Sequence, residues 1–284
     1  MVPFEEGRVF VDRSDRRVVE VLGSDAEAWL NDLVSADVAG LPPGHTRRSL
    51  LLARTGGVLA EFTVARSEDA LYLLQDPAHA SEVDRLLGPY VLSADVELRD
   101  RTGWFAIFAF PGAPAAPAVG GTSAWSPSCL GPGVDLVGAR DDRGRLAEAL
   151  EAGFARATEH ELEAWRVVHG IAAWGVDSHD GDLPQECGLE DAVSFDKGCF
   201  VGQEAVAKTR NLGHPRRTLL PLEAAGPVAS GERVRTADGG EAGIVTSAAD
   251  VDGRHFLLAR ISWRDRDASL RTASGVPLHV RTDA

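Results

Sequence analysis

The chain has 284 residues, 44% hydrophobic and 25% charged, a length that allows about two domains. These proportions are typical of a globular protein and exclude collagen-like and disordered chains. The formal net charge of −14 argues against direct nucleic-acid or membrane binding. No apolar run approaches the ~18 residues of a membrane-spanning helix, and residues 1–17 carry acids and arginines where a secretory signal is apolar, so we expect a cytoplasmic protein.

The first part of the chain alternates short strands with amphipathic helices. Residues 17–22 predict a strand, and Ser24 with Glu27 has the spacing of a capping box that opens a helix. The next 60 or so residues predict three antiparallel strands, a helix and two further strands. In order, these are residues 49–53, 58–64, 70–75, 80–87, 96–99 and 104–110.

The remainder divides into two parts. Residues 111–133 are rich in Pro and Gly and predict a loop or joint, and Thr158 with Glu161 forms a second capping box. From residue 217 onward, short strands separated by Gly, Asp and Pro predict a small barrel or sandwich. Strands and helices mix without a regular βαβ rhythm, which indicates an α+β fold.

The densest group of chemically active residues is FDKGCFVGQE at residues 195–204. If the backbone is extended there, Lys197 and Cys199 share one face, and a nearby ammonium lowers the pKa of a thiol. Gly198 and Gly202 allow close approach of backbone or ligand. The alternative is a buried structural cysteine in a glycine-flanked turn.

Two polar residues and a basic stretch follow this cysteine. Gln203 and Glu204 offer the donors and acceptors that suit the edge of a heterocycle. Four cations with no acid between them come next, and they predict either a carboxylate-binding patch or a solvated loop between domains. These are Lys208, Arg210, Arg216 and Arg217.

The segment Lys197-Gly198-Cys199-Phe200-Val201-Gly202-Gln203-Glu204 resembles the K-G-C-[FY]-x-G-Q-E signature of the YgfZ-type folate-binding proteins. These are relatives of the glycine cleavage T-protein that support iron–sulfur enzymes. The resemblance covers most of the chain. Further matching stretches are residues 22–38, Gly56 to Leu59, Arg166 with Gly170, Pro184 to Glu186, and residues 243–248 with 258–260.

The resemblance implies a T-protein-like cloverleaf of α+β subdomains around a folate-sized opening, with a small C-terminal β-barrel. We therefore expect an N-terminal α+β subdomain at residues 1–110, a second one carrying the motif at 111–214, and the barrel at 215–284. The implied cofactor is tetrahydrofolate or a derivative. The implied site has Cys199 as functional thiol, tuned by Lys197, and a set of cofactor-binding residues: Arg166, Glu186, Gly198, Gly202, Gln203 and Glu204.

The sequence departs from the T-protein pattern at three places. The pterin-binding glutamate of that family falls on Val168, next to His169, which is a possible substitute. No tryptophan aligns with those associated with folate in some members, so Trp165 is only a neighbouring candidate. The T-protein's acidic pair after the Gly-Gly turn corresponds to Ala60 and Glu61, which leaves one carboxylate.

Three functions remain open on these residues. The first is a folate-binding accessory factor, expected to be a monomer, that supports assembly or repair of iron–sulfur clusters in client enzymes. The alternative is a folate-dependent aminomethyltransferase or demethylase, which the missing carboxylate disfavours because such chemistry is sensitive to displacements of about 1 Å. The third is a noncatalytic binder. We expect no resident metal, although Cys187, with Cys199 and a partner, could hold a cluster.

Overall fold

The computed structural model describes Phe4 and residues 7–282, which form sixteen β-strands and five α-helices. The first eight strands are β1 (Val9–Asp12), β2 (Arg17–Leu22), β3 (Thr46–Leu52), β4 (Val58–Arg66), β5 (Leu71–Gln75), β6 (Glu97–Asp100), β7 (Phe105–Pro111) and β8 (Thr122–Trp125). The others are β9 (Gly133–Ala139), β10 (Ala155–Arg156), β11 (Arg217–Ala224), β12 (Arg233–Thr236), β13 (Glu241–Val251), β14 (Arg254–Ser262), β15 (Leu270–Thr272) and β16 (Pro277–Val280). The helices are α1 (Ala26–Leu33), α2 (Val83–Leu87), α3 (Arg143–Glu151), α4 (Glu159–Val168) and α5 (Gln203–Leu212).

The first sheet has the antiparallel order β3-β4-β5-β2-β6. The predicted three-stranded meander is therefore confirmed. The alternation in β4 places Val58, Ala60, Phe62 and Val64 in the interior, as period-two burial requires. Most of these side chains share a core with Leu30 of α1, so one helix and one sheet face bury each other.

The second sheet has the order β10-β1-β7-β9-β8 and crosses the predicted subdomain boundary. Strand β7 crosses that boundary with its last residue, Pro111, β9 lies after it, and Phe110 is the register partner of Val134. The boundary at residues 110 and 111 therefore falls inside a sheet. The stretch 111–133, predicted as a loop, also contributes the edge strand β8.

The two predicted capping boxes have different outcomes. At α4 the box is confirmed, because the Glu161 backbone N–H donates to Thr158 Oγ1 at 3.2 Å and the Thr158 N–H donates to Glu161 Oε2 at 2.8 Å. At α1 the prediction is wrong. The N-cap is Asp25, and the Ser24 hydroxyl instead donates to Asp95 Oδ2 at 2.8 Å.

The C-terminal strands close into the barrel β11-β14-β13-β12-β15-β16, which confirms the predicted barrel. Its interior is filled by small and branched side chains such as Leu222, Val245 and Leu257. Helix α4 packs against β13 and β14 through Val167 and Leu258. The barrel is thus attached to the rest of the molecule through the same helix that carries Arg166.

A long irregular segment, residues 169–202, connects α4 to α5 and contains no α-helix or named strand in the described structure. It packs on the β3–β4 hairpin, where the Val58 N–H donates to the Asp182 carbonyl and the Gly181 N–H donates to the Val58 carbonyl, both at 2.9 Å. Buried Cys187 and Phe200 of this segment pack in one apolar cluster with side chains of the β3–β4 hairpin. This segment carries most of the residues that the sequence singles out.

Candidate functional site

The motif segment lies at the surface, in the turn that leads into α5. The Cys199 side chain is exposed, whereas the adjacent Phe200 is buried against Leu50 and Leu52 of β3. The backbone around Cys199 is bent and irregular and belongs to no strand, so the period-two argument for a shared Lys197 and Cys199 face does not apply. Phe200 therefore anchors the turn, and the neighbouring sulfur faces solvent.

The Lys197 ammonium is held at the C-terminal end of α1. It donates to the backbone carbonyls of Asn31, Val34 and Ala36 at 2.5, 2.6 and 2.7 Å. Three donors meet three carbonyls at the negative end of the helix dipole. Burial lowers the pKa of Lys197 from 10.5 to about 8, so at pH 7 the group keeps its charge. Its observed contacts are structural, and its predicted influence on Cys199 stays a prediction.

We expect Lys197→Met to lower the free energy of unfolding by about 2–3 kcal/mol, because it removes charge-assisted hydrogen bonds and leaves the α1 carbonyls without their donor. Urea denaturation at pH 7 measures this. The matched control is Lys208→Met, at the other lysine, which is exposed on α5. We expect this variant to change the free energy of unfolding by at most about 0.5 kcal/mol. Equal losses in the two variants would contradict the capping role of Lys197.

The two glycines of the motif have different surroundings. Gly202 is the N-cap of α5 at φ +83°, and a Cβ there would lie 2.5 Å from the Ala53 carbonyl oxygen. Gly198 is exposed, and a Cβ on it would meet nothing within 4 Å. The close approach predicted for both glycines therefore occurs at Gly202, and the approaching group is the backbone of the β3–β4 hairpin. Their predicted contact with a cofactor stays a prediction.

The other two thiols are less exposed than Cys199, because Cys129 is half-buried and Cys187 is buried. Cys187 is completely buried, and its Sγ contacts the Leu183 carbonyl oxygen at 3.3 Å. Burial raises the pKa of both the Cys187 and the Cys129 thiols, so these groups stay protonated at neutral pH. The hypothesis that Cys187 joins Cys199 in holding a cluster is therefore corrected, because only Cys199 has an exposed sulfur.

A cavity of about 530 Å³ lies where the two sheets, α4 and the irregular segment meet. Its volume is in the range of small-molecule sites, about 300–1,000 Å³. Its lining includes charged residues from β3, β4, α4 and several loops, and aromatic side chains. Among the residues predicted to bind a cofactor, Arg166 alone lines it. Gly198, Gly202, Gln203, Glu204 and Glu186, like Cys199, are not among its lining residues.

Arg166 uses all its donors within the protein. Its Nε donates to Glu163 Oε2 at 2.6 Å, and Nη1 donates to the Ile171 carbonyl at 3.1 Å and to Asp177 Oδ2 at 2.7 Å. Its Nη2 donates to Glu163 Oε1 and, at 2.7 Å, to Ser247 Oγ. The guanidinium has five N–H groups, and all five find acceptors. Arg166 therefore ties α4 to the irregular segment and the barrel, and its predicted contact with folate stays a prediction.

Glu186 is buried outside the cavity. Its Oε1 accepts from the Arg216 backbone N–H at 3.1 Å, and its Oε2 lies 3.8 Å from Arg217 Nε. It thus joins the short 3₁₀ turn at Pro184–Glu186 to the start of the barrel. The predicted basic patch is exposed, and Arg210 lies over the Phe195 ring at 4.2 Å. Its ability to hold carboxylates stays a prediction.

The positions that correspond to the T-protein acid pair differ as the sequence indicates. Ala60 is completely buried in the first sheet, whereas Glu61 lines the cavity. The Glu61 carboxylate accepts from Arg48 Nε at 2.7 Å. A second cavity carboxylate, Glu163, comes from α4. The cavity therefore presents acceptors on two walls, each already paired with an arginine.

Aromatic side chains form another part of the cavity wall. The His79 and Trp174 rings stack with centroids 4.0 Å apart and planes at 22°. Trp165 also lines the cavity, in agreement with its predicted proximity. His169 does not line it, and its Nδ1 lies 2.8 Å from the Trp165 carbonyl oxygen at the end of α4. Its predicted role as a substitute for the pterin anchor therefore has no support in this geometry.

Several cavity residues escaped the sequence reasoning. Arg13, Arg16, Asp76, His79 and Trp174 reach the same space from separate segments of the chain. No local motif marks them. The sequence signal that marks part of this set is the density of arginine in the stretch 13–17.

Two classes of site are not seen in the described part of the chain. Across Phe4 and residues 7–282, no cluster of three or more His, Cys, Asp or Glu side chains is arranged to hold a metal ion. Within the same residues, none of the helices is both long and apolar enough to cross a membrane.

Comparison with known proteins identifies the fold. Residues 5–124 match the family model described as the GCVT N-terminal domain. The crystal structure of glycine cleavage system aminomethyltransferase T from Bartonella henselae superposes with a TM-score of 0.81 at 18% sequence identity, covering 99% of this chain and 88% of that one. The chain is a GcvT-fold protein. The predicted cloverleaf class with its C-terminal barrel is thereby confirmed.

The sequence relatives of this GcvT-fold protein carry two names. An iron-sulfur cluster assembly factor IBA57 homolog, mitochondrial, from Neosartorya fischeri is 25% identical over 77% of this chain and 58% of its own length. The homolog of the same name from Cryptococcus neoformans is 26% identical over 73% of this chain and 64% of its own length. An aminomethyltransferase from Streptomyces coelicolor is 26% identical over 88% of this chain and 77% of its own length. The chain thus spans about three fifths of the length of the IBA57 relatives, between 58% and 64%.

Proposed function

We propose that this GcvT-fold protein is a folate-binding accessory factor that supports assembly or repair of iron–sulfur clusters in client enzymes through the Cys199 thiol. The relatives named as iron-sulfur cluster assembly factors support this role. We keep the cytoplasm as the proposed compartment, although those relatives are named as mitochondrial. Cell fractionation tests that placement.

The observation that carries the proposal is the exposure of Cys199. Of the three cysteines, one is buried in a core, one lines the central cavity with its pKa raised by burial, and Cys199 faces solvent. Thiolates are the usual ligands of iron–sulfur clusters, and a ligand for a transferred cluster must be reachable by a second protein. Cys199 meets that requirement.

Cluster binding by Cys199 needs ligands from elsewhere. Four thiolates commonly hold a cluster, and the described chain supplies one exposed sulfur and no metal-holding group of three side chains. We infer that the cluster is cargo, held between Cys199 and a client or assembly protein. Anaerobic incubation with iron and sulfide is expected to give no cluster absorbance with this chain alone.

The central cavity is the proposed folate site. Its volume of about 530 Å³ suits a small ligand, and Trp174 and His79 offer aromatic surface for stacking. Glu61 and Glu163 supply carboxylate oxygens that can accept N–H groups from a reduced pteridine. When bound, tetrahydrofolate would supply one-carbon or redox chemistry. The residues present would hold and orient it.

A complementation experiment tests the thiol. In a strain that lacks the protein, we expect Cys199→Ala to restore no more activity of iron–sulfur enzymes under oxidative stress than an empty vector. Arg145→Met, on the exposed α3 and outside the proposed site, serves as the control and is expected to restore wild-type activity. Full rescue by Cys199→Ala at wild-type protein levels would refute the proposal.

The aminomethyltransferase is the second candidate, because Glu61 lines the cavity and relatives of that name match this chain. The two functions depend on different residues. A transferase would lose activity on Glu61→Gln and keep it on Cys199→Ala, since the sulfur lies outside the cavity lining. The measurement is the formation of methylene-tetrahydrofolate and ammonia from tetrahydrofolate and an aminomethylated donor.

A further inference from the structure

Four exposed cations near the Cys199 motif form no ion pair with any carboxylate of the described chain. One lies in the turn between β3 and β4, and three lie on α5 or just after it: Arg54, Lys208, Arg210 and Arg216. Many exposed arginines elsewhere do pair with a carboxylate, among them Arg85, Arg145 and Arg233. Unpaired cations are therefore concentrated beside the motif, in a chain whose net charge is −14.

These cations lie close to the thiol. The Arg210 guanidinium lies over the Phe195 ring at 4.2 Å, and Phe195 is four residues before Cys199, a stretch that spans at most about 14 Å. Arg54 belongs to the turn whose backbone approaches Gly202. A standard protein interface covers about 800 Å² of each partner, a patch roughly 30 Å across. The thiol and the cations therefore fit within the footprint of one docking protein.

An exposed apolar side chain lies among the cations. Leu212, the last residue of α5, is 83% exposed, and the buried residue of that helix is Val206. The loop after α5 is held against the barrel, because the Trp263 N–H donates to the Arg216 carbonyl at 3.0 Å and the His214 and Trp263 rings stack with planes at 8°. An apolar centre with a polar rim is the usual composition of a protein interface.

Carboxylates border this surface but are not paired with it. Glu190 and Asp196 line a depression of about 440 Å³ together with Arg210, and Glu204 lies one helical turn before Lys208. In the described part of the chain, none of these three carboxylates forms an ion pair. The cations therefore remain available to an anion that comes from outside the chain.

We propose that the cations and the exposed leucine form a docking surface for an acidic face of the protein that shares the cluster with Cys199. The docking surface consists of Arg54, Lys208, Arg210, Leu212 and Arg216. Four thiolates outweigh the positive charge of an iron–sulfur core, so the cargo itself is anionic. Cations around the thiol favour its approach and raise the rate of encounter with an acidic partner.

The same observations favour a protein over a nucleic acid as the occupant. The net charge of −14 opposes binding to a phosphate backbone, and the exposed Leu212 gives the surface an apolar centre. This inference rests on the proposed iron–sulfur function, and it adds the chemistry and the position of the partner.

Disulfide exchange with charged peptides tests the docking surface. The probe is a peptide of about twelve residues, which extends to about 40 Å, with alternating Glu and Leu and a cysteine activated as the mixed disulfide of 5-thio-2-nitrobenzoate. The Cys199 thiolate attacks the peptide sulfur, a new disulfide forms, and 5-thio-2-nitrobenzoate leaves with the electron pair and is measured by its absorbance. A second peptide has Gln in place of Glu. The ratio of the two rates cancels the intrinsic reactivity of the thiol, and Cys199→Ala gives the background.

At an ionic strength of about 20 mM, the Glu peptide is expected to react about 10-fold faster than the Gln peptide, and at about 0.5 M this ratio is expected to fall below about 2. The combined variant Lys208→Gln, Arg210→Gln and Arg216→Gln is expected to lower the low-salt ratio to about 2 or less, and each single substitution to lower it about 2-fold. Leu212→Ser is expected to slow both peptides about 3- to 10-fold and to leave their ratio unchanged.

The matched control changes three exposed arginines elsewhere, each paired with a surface carboxylate: Arg85→Gln, Arg145→Gln and Arg233→Gln. This variant is expected to keep the wild-type ratio, because distant exposed charges are screened. Complementation of the strain that lacks the protein adds a readout in cells. There the three-cation variant is expected to restore at least about 3-fold less iron–sulfur enzyme activity than the control at equal protein levels.

The outcomes separate this inference from the proposed function. A rate ratio near 1 in the wild type, an unchanged ratio in the three-cation variant, or full complementation by that variant would overturn the docking surface. The proposed function would still stand if Cys199→Ala failed to complement. If Cys199→Ala complements fully and the peptide rates are as expected, the proposed function fails and the acidic docking surface stands. An RNA oligonucleotide that competes better than the Glu peptide, or self-association that the three-cation variant loses, would assign the surface to another occupant and overturn the inference.

Discussion

Arg166→Met is expected to lower the free energy of unfolding by about 3–5 kcal/mol, the usual consequence of removing one partner of a buried ion pair. Asp177 is completely buried and would lose its counter-ion, and the links from α4 to Ile171 and Ser247 would break as well. Urea denaturation measures the loss. A change below about 1 kcal/mol would contradict this role for Arg166.

A second substitution isolates the charge from the lost contacts. Adding Asp177→Asn to Arg166→Met removes the uncompensated carboxylate, so we expect the double variant to recover about 1–2 kcal/mol relative to Arg166→Met alone. Arg156→Met is a matched control, because Arg156 pairs with Asp12 at the surface with 48% of its side chain exposed. That variant is expected to lose at most about 1 kcal/mol.

Gly202→Ala is expected to lower the free energy of unfolding by about 2–5 kcal/mol. The left-handed backbone disfavours any L side chain by about 1–2 kcal/mol, and displacement of packed atoms adds about 1–3 kcal/mol. The new methyl group would lie 2.5 Å from the Ala53 carbonyl oxygen and 2.9 Å from Leu52 Cβ, so the β3–β4 hairpin would have to move. Thermal and urea denaturation both report the loss.

Gly198→Ala is the matched control within the same motif. Its Cβ meets no atom within 4 Å, so its effect is expected to stay within about 0.5 kcal/mol of zero. Similar losses of unfolding free energy in the two variants would show that the loss has a cause other than the backbone geometry at Gly202. A neutral Gly202→Ala would contradict the close approach of the hairpin.

Features with strong local signals were predictable from the sequence. The alternation in β4 and the Thr158–Glu161 box depend on neighbouring residues, and both predictions are confirmed. The Ser24–Glu27 box has the same pattern, but the fold brings Asp95 to Ser24 and Gly40 to Glu27, and these long-range partners replace the cap. A local pattern cannot report a partner that tertiary structure supplies.

The site was predictable only in part, for the same reason. The motif around Cys199 is contiguous, so its composition marked it, and its resemblance to a known signature indicated its family. The cavity wall is assembled from separate segments, and residues such as Arg13, Arg16 and His79 have no distinguishing neighbours in the chain. Lys197 was assigned by strand spacing to Cys199, whereas the fold turns its ammonium toward α1.

The turn that presents Cys199 is fixed on several sides before any second protein arrives. The Lys197 ammonium meets the end of α1, the Ser194 N–H donates to the Ser35 carbonyl at 2.9 Å, and Phe200 is buried. Association with a preorganised surface loses little conformational entropy. Under the proposed function, a docking protein would meet a sulfur whose position is already set, and variants that loosen these attachments are expected to slow cluster hand-over even when the thiol itself is untouched.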